Sequence, residues 1–324
     1  MFNINELQAA SKVIHEVMPP TPTHHWPQLS SNTGCEVWVK HENHTPTTAF
    51  KVRGGIYLLN QLNQSASKPN GIISATRGNH GQSLSYSGSR TGMPVVIIVP
   101  ECNSPDQNRA IEGFGAKLII HGKDFEEARQ FSLNLQEEYG YLPIPPFSRD
   151  LTIGVASYAL EFMSAVKDLD SIYVPVGMGS GICGLIQTRD LLGLSTKIVG
   201  VVSEGAPTFY QSFQAGHIIP TSDANTIADG VATSSPMEEA FEMIKNGADR
   251  IVMVNDTQIA EAMYHYYKFT HNLAEGAGAI ALAGLNQEKQ QMKGKKVGLI
   301  LSGGNIDFER FCQYISPFTE NSCC

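Results

Sequence analysis

The chain has 324 residues, 42 % hydrophobic and 17 % charged, with 31 acidic against 23 basic side chains and a net charge of −8. That length exceeds what one hydrophobic core usually serves, so two lobes of an ordinary globular protein are expected. The acidic balance argues against nucleic acid or an anionic membrane as the main partner, and no run approaches the roughly 18 apolar residues of a spanning helix.

In chain order, the N-terminus MFNINELQAASKVIHEVMPPTP is polar and amphipathic, without the basic start and apolar centre of a signal peptide, so the cytoplasm is the expected compartment. Short apolar, β-branched runs follow at EVWVK (36–40), GIIS (71–74), PVVIIVP (94–100), AKLIIHG (116–122), SIYVPVG (171–177), KIVGVVSE (197–204) and KVGLILSGG (296–304). Between them lie helical patterns at 51–63, 81–91, 104–114, 124–139, 154–166, 181–192, 256–270 and 276–287. Most strands are continuous apolar runs, as strands buried on both faces must be, which predicts an α/β fold of open parallel sheets with helices on both faces. The proline-rich YLPIPPFSRD (141–150) and SKPN (67–70) break the alternation. They divide the chain into a large domain of residues 1–68 plus 148–324 and a small inserted domain of residues 69–147. Six cysteines, at 35, 102, 183, 312, 323 and 324, have no CxxC or metal-ligand spacing and read as free thiols, with Cys323-Cys324 a frayed end.

Ligands of open parallel sheets sit at the carboxyl ends of the strands. Four loops there combine small residues with polar ones: 47–55 around Lys51, 76–82 (TRGNHGQ), 177–181 (GMGSG) and 302–305 (SGGN). GMGSG joins a strand to a helix and offers backbone amides to an anion such as a phosphate. Its extension Gly179-Ser180-Gly181-Ile182-Cys183-Gly184 also satisfies GxGxxG, and Glu204 closes the next strand, so these residues alone leave a dinucleotide site open for an NAD-dependent oxidoreductase. Lys51 by itself could be an ordinary solvated lysine, but behind the apolar Phe50 and near a helix start its amine could equally be partly desolvated, with a lowered pKa, and able to form an imine.

Together the motifs resemble those of the fold-type II pyridoxal-phosphate enzymes. AFKVRGG resembles their SFKxRGA, TRGNHGQ their SxGNHGQ, PVGMGSG their phosphate loop PVGGGG, TIADGVA (226–232) their TxADG segment and LSGGN (301–305) their SGGN. The similarity runs from Thr21 to Asn305 and is strongest to the threonine/serine dehydratase branch, which includes serine racemase and hydroxyaspartate dehydratases. It implies a tryptophan synthase β-like fold with the active site between the lobes. It further implies pyridoxal 5'-phosphate as cofactor, a small amino acid as substrate and a homodimer. The activity implied is an ammonia-lyase that turns a β-hydroxy amino acid into a 2-oxo acid and ammonia. The alternatives are hydroxyaspartate dehydratase or serine racemase activity, and the dinucleotide reading becomes a minor one.

Carried over residue by residue, the resemblance makes Lys51 the catalytic residue and the Schiff-base holder. Phe50 would pack on the cofactor ring with Gly230 near the other face, and Asn79 would bond the ring hydroxyl. Gly177, Met178, Gly179, Ser180 and Gly181 would cradle the phosphate, with Ser302 facing the ring nitrogen. Thr76, Arg77, Gly78 and His80 would hold the substrate carboxylate. A serine at the ring nitrogen leaves the ring unprotonated, which favours β-elimination over transamination.

The sequence departs from the family pattern in places. Ala49 replaces a serine. Arg77 stands where serine racemase has a proton-shuttling serine, so racemisation is expected to be weak; its planar fork could take a second substrate carboxylate, but the expected reading is that it points outward or pairs with a local acid. Glu204 is followed by Gly-Ala-Pro-Thr without aspartate, so no metal is expected. Glu275, in LAEGAGAIAL, is placed near the site. The chain ends about twenty residues after SGGN, so the regulatory domain of isoleucine-inhibited threonine dehydratases is not expected.

Overall fold

The structure is a computed structural model that describes residues 2–222 and 224–319. The Cys323-Cys324 end lies outside the described residues. In chain order the elements are α1 Ile4–His15, β1 Thr23–His25, α2 Pro27–Thr33, β2 Glu36–His41, α3 Lys51–Gln64, β3 Ile72–Ala75, α4 Asn79–Thr91, β4 Val95–Val99, α5 Pro105–Gly113, β5 Lys117–Ile120, α6 Phe125–Tyr139 and β6 Leu142–Pro143. They continue with α7 Arg149–Ala165, β7 Ser171–Pro175, α8 Ser180–Leu191, β8 Lys197–Ser203, α9 Thr208–Ala215, α10 Glu238–Gly247, β9 Arg250–Val254, α11 Asp256–Thr270, α12 Gly276–Met292, β10 Lys296–Leu301 and α13 Phe308–Thr319.

Two parallel sheets form two lobes. The larger has the order β1-β2-β10-β7-β8-β9, parallel except for the β1-β2 pair, and the smaller has β5-β4-β3-β6, parallel throughout. The continuous apolar runs follow from burial on both faces. In the large sheet Tyr173, Val199, Val201, Leu299 and Leu301 pack with α11 and α12, while their neighbours Ile172, Val174, Ile198, Val202 and Ile300 pack with α7 and α8. Ile72, Val95 and Ile97 of the small sheet face α4 and α5; Ile73, Val96 and Ile98 face α6. A parallel sheet alternates its side chains between two helix layers, so the central positions of these strands are shielded from water, while strand ends such as Lys197 and the edge strands, with Ile120 and Leu142, stay exposed.

The seven strands expected from sequence all form, to within two or three residues at each end. The helix expected at 154–166 begins earlier, at Arg149, because Ser148 caps it by accepting from the Leu151 amide at 3.4 Å. Read from sequence as a passage, YLPIPPFSRD nevertheless contributes the edge strand β6. Leu142 and Ile144 donate their amides to Gly71 and Ile73, and Pro143, which has no amide to donate, falls between them. Among the described residues β1, β9 and the helices α1, α2, α9, α10 and α13 also form without having been read from the sequence. No helix among the described residues is long and apolar enough to cross a membrane.

Candidate active site

Three strand ends of the large sheet and one of the small sheet meet in a single cleft. After β2 the chain passes through residues 42–50 into α3, with Lys51 its first residue; after β7 it forms the glycine loop into α8. After β10 it enters 302–305, and after β3 it turns through 76–78 into α4, whose first residue is Asn79. The pocket there is lined by Phe50, Lys51, Asn79, Gly177, Met178, Gly179, Ser180, Gly181, Gly230 and Ser302, joined by Pro175, Val231, Glu275 and Ala277. All ten residues assigned from sequence to the cofactor therefore lie on one wall system.

Local chemistry positions each of them. The Phe50 amide donates to the Ser302 carbonyl at 3.0 Å, and the Gly304 amide donates to the Thr48 carbonyl at 2.9 Å, tying the lysine loop to the end of β10. Thr48 has φ of 50°, a left-handed conformation uncommon for a β-branched residue. Its hydroxyl bonds the Asn305 side chain, which over-determines the turn that delivers Lys51. Tyr158 braces two parts at once: its ring meets Phe50 edge-on at 6.1 Å, and its hydroxyl donates to the Gly181 carbonyl at 3.0 Å. In the glycine loop Gly179 has φ of 102°, open to glycine and strained for other residues, and a Cβ on Gly177 would stand 2.3 Å from the Gly230 carbonyl oxygen. The Gly230 turn is in turn held by Asp256, which accepts from the Thr226 hydroxyl at 2.5 Å and the Ile227 amide at 3.2 Å.

The electrostatics of the pocket are unbalanced. Burial lowers the pKa of the Lys51 amine, while the nearby Glu275 partly restores it. Glu275 is 8 % exposed, and burial pushes its carboxyl up to about 7 against the opposing pull of Asn79 and Lys51. At the opposite end the wall is neutral and backbone-rich: the glycine loop leads into α8, whose first amides have no intrahelical acceptor. Such a cradle suits a phosphate, and an amine whose neutral form is favoured suits an aldehyde, so the residues present fit a phosphorylated aldehyde cofactor.

The four residues assigned to the substrate lie on the adjoining loop 76–78 and, for His80, the first turn of α4, rather than on the pocket lining. Thr76 and His80 are buried, with His80 held neutral, its pKa lowered to about 3 by burial and by Lys51. The Gly78 amide donates to the Thr76 hydroxyl at 3.3 Å. Arg77 is 43 % exposed at the cleft mouth and reaches Asp229 at 3.9 Å, with the Phe125 ring 5.9 Å away. Glu204, the acid of the dinucleotide alternative, is exposed just past β8. Asn305 and Glu275 contribute more than the sequence reading gave them. The SGGN and LAEGAG motifs carried the signal, but motif similarity alone does not say which way an amide or carboxyl points.

Comparison with known proteins gives the same answer. L-threonine ammonia-lyase of Thermotoga maritima is 32 % identical over 308 residues, 95 % of this chain and 76 % of that protein. L-threo-3-hydroxyaspartate ammonia-lyase of Saccharomyces cerevisiae is also 32 % identical over 308 residues, 95 % of this chain and 94 % of that protein. The solved structure of maize serine racemase superposes with a TM-score of 0.89 at 26 % identity, covering 99 % of this chain and 98 % of that one. The profile of the pyridoxal-phosphate dependent enzymes matches residues 14–303, and the chain belongs to that family.

Proposed function

We propose that this protein is an ammonia-lyase that converts a small β-hydroxy amino acid of the threonine or serine kind into a 2-oxo acid and ammonia. The observation that carries the reading is Lys51: an enclosed amine with a lowered pKa, delivered by a strained turn to a pocket that the glycine loop 177–181 also lines. Pyridoxal phosphate supplies an aldehyde for imine formation and an electron-withdrawing ring that makes a neighbouring C–H acidic.

The chain's own groups do the rest. Lys51 would hold the cofactor, and its Nζ, in the neutral form that burial favours, would take the proton from the substrate Cα. Phe50 and the Gly230 turn, both lining the pocket, would hold the ring, and the segment Thr76 to His80 would offer backbone amides to the substrate carboxylate. Ser302 presents a neutral hydroxyl, itself donating to the Ala277 carbonyl at 3.3 Å, and at that position a serine, unlike a carboxylate, would not keep the ring nitrogen protonated. Loss of the β-hydroxyl is then favoured over transamination. Arg77 cannot lend a proton to the opposite face as a serine would, which supports a lyase over a racemase. Its guanidinium stands 3.9 Å from Asp229, an exposed and weak pairing that a substrate carboxylate could replace.

The same reading makes residues 69–147 a unit that closes over the pocket, and places the protein in the cytoplasm as a homodimer. Exposed Tyr267 and Phe308 on the neighbouring helices α11 and α13 support a second copy as the cover. The test is direct. Purified protein given L-threonine or L-serine is expected to release 2-oxo acid and ammonia and to show a visible imine absorption band, and Lys51→Ala to lose both. A variant that keeps the band and turnover, or a wild type inert on every β-hydroxy amino acid tried, overturns the proposal.

A further inference from the structure

One buried carboxyl in the pocket has no part in the chemistry above. Glu275 is the N-cap residue of α12, yet its side chain makes no capping bond there. Its Oε1 instead accepts from Asn79 Nδ2 at 2.7 Å. The other end of the Asn79 amide is engaged too. Its Oδ1 accepts from Asn305 Nδ2 at 2.8 Å, and the same nitrogen donates to the Thr47 carbonyl at 2.8 Å. A carbonyl oxygen only accepts, so Thr47 dictates which end of the Asn305 amide faces it, and Asn305 then dictates which end of Asn79 it meets. The Asn79 nitrogen is thereby committed to the Glu275 side, with its second hydrogen left for the pocket. Gly303 gives an independent sign: a Cβ there would stand 2.2 Å from Glu275 Oε1, so the SGGN turn is shaped around this carboxyl.

We infer that Glu275 is a positioning residue for the cofactor's ring oxygen: with Asn305 it holds the Asn79 amide so that an N–H is directed into the pocket. The inference rests on the assignment of this pocket to pyridoxal phosphate. The charged groups that face Glu275 are Lys51 from α3, which favours its ionised form, and Asp229 from the turn beside Gly230, which opposes it. With burial added, the carboxyl ionises around pH 7. The anion is the stronger acceptor, so the grip on Asn79 tightens as pH rises through neutrality.

Titration of pyridoxal phosphate into the apoprotein, read as dissociation constant and as the pH dependence of the visible band, tests this in wild type, Glu275→Gln, Glu275→Ala, Asn79→Ala and the double alanine variant. Glu275→Ala is expected to weaken binding about tenfold, and the double variant to bind no worse than Asn79→Ala, because the carboxylate acts through the amide. Glu275→Gln keeps an acceptor oxygen. It should bind within about threefold of wild type and lose the spectral titration near neutrality. Wild-type affinity in Glu275→Ala, or losses that add in the double variant, overturns the inference. Should Glu275→Ala fail to fold, a neutral-range titration persisting in Glu275→Gln overturns it. Lys51→Ala reads the pocket assignment separately: if that variant keeps the wild-type band, the assignment fails and the inference falls with it.

Discussion

Two residues apart on the first turn of α3, Lys51 and Arg53 enter two buried polar clusters of opposite character. Positions i and i+2 of a helix do not face each other, so one cation turns to the cleft and the other to the protein interior. Arg53 is fully buried and saturated. It donates to Glu42 at 2.6 and 2.9 Å, to Glu161 at 2.6 and 2.9 Å, to Ser157 at 2.9 Å and to Thr21 at 3.2 Å. Lys40 completes the cluster through Glu161 at 2.5 Å and the Thr21 carbonyl at 2.8 Å, so two cations answer two carboxylates. Burial raises the Glu161 pKa, but Arg53 and Lys40 outweigh it and hold the carboxyl down to about 2. In the cleft Lys51 has Glu275 as its nearby carboxyl, and burial wins over attraction for both groups, lowering the amine and raising the acid. Burial with close pairing keeps Arg53 and Glu161 charged and makes scaffold, even though burial lowers the Lys40 amine; burial with incomplete pairing moves Lys51 and Glu275 in the direction of losing charge, which is what proton transfer requires.

The contrast can be broken from either side. Lys51→Ala should cut turnover by at least about a thousandfold while leaving the melting temperature unchanged or higher, since it removes an under-paired buried amine. Arg53→Ala should do the reverse. Stranding Glu42 and Glu161 is expected to cost about 3–5 kcal/mol in denaturant unfolding. A folded Arg53→Ala enzyme of wild-type stability would show that the cluster is not scaffold.

The two acids separate by pH. For Glu161 the folded pKa lies below the ordinary carboxylate value, so its stabilisation is present above about pH 4.5 and is lost as pH falls toward 2. That loss is about 3 kcal/mol at most, and Glu161→Gln should flatten this part of the acid-unfolding curve. For Glu275 the folded pKa is raised, so the native state is progressively penalised as pH rises from about 4.5 to about 7. Glu275→Gln is therefore expected to stabilise the apoprotein at pH 8 by up to about 2–3 kcal/mol and to have little effect at pH 4.5. Thermal unfolding at the two pH values reads both, and equal shifts at pH 8 and 4.5 would remove the burial argument. The smallest effect belongs to the cleft mouth. Arg77→Ala breaks an exposed pair at 3.9 Å and should change stability by less than about 0.5 kcal/mol. Its turnover of threonine should persist, and a selective loss of hydroxyaspartate turnover would revive an acidic substrate.

Much of this was legible before any coordinates. Continuous apolar strands can be buried on both faces only between helix layers, so the parallel α/β sheets follow from residues such as Ile172 to Val174 and Val95 to Val99. The short glycine and lysine loops act locally, through backbone amides and a helix start, and local chemistry shows in local sequence. The edge strand β6 was not legible, because Leu142 and Ile144 pair only once β3 lies beside them. The Arg53 cluster draws on residues 21, 40, 42, 53, 157 and 161, and the Asn79 amide takes its direction from Thr47, Asn305 and Glu275. Spacing along the chain carries no sign of such partners. Which buried charge is paired and which is left reactive depends on groups brought together from distant segments, and those meet only when the sheets and helices are packed.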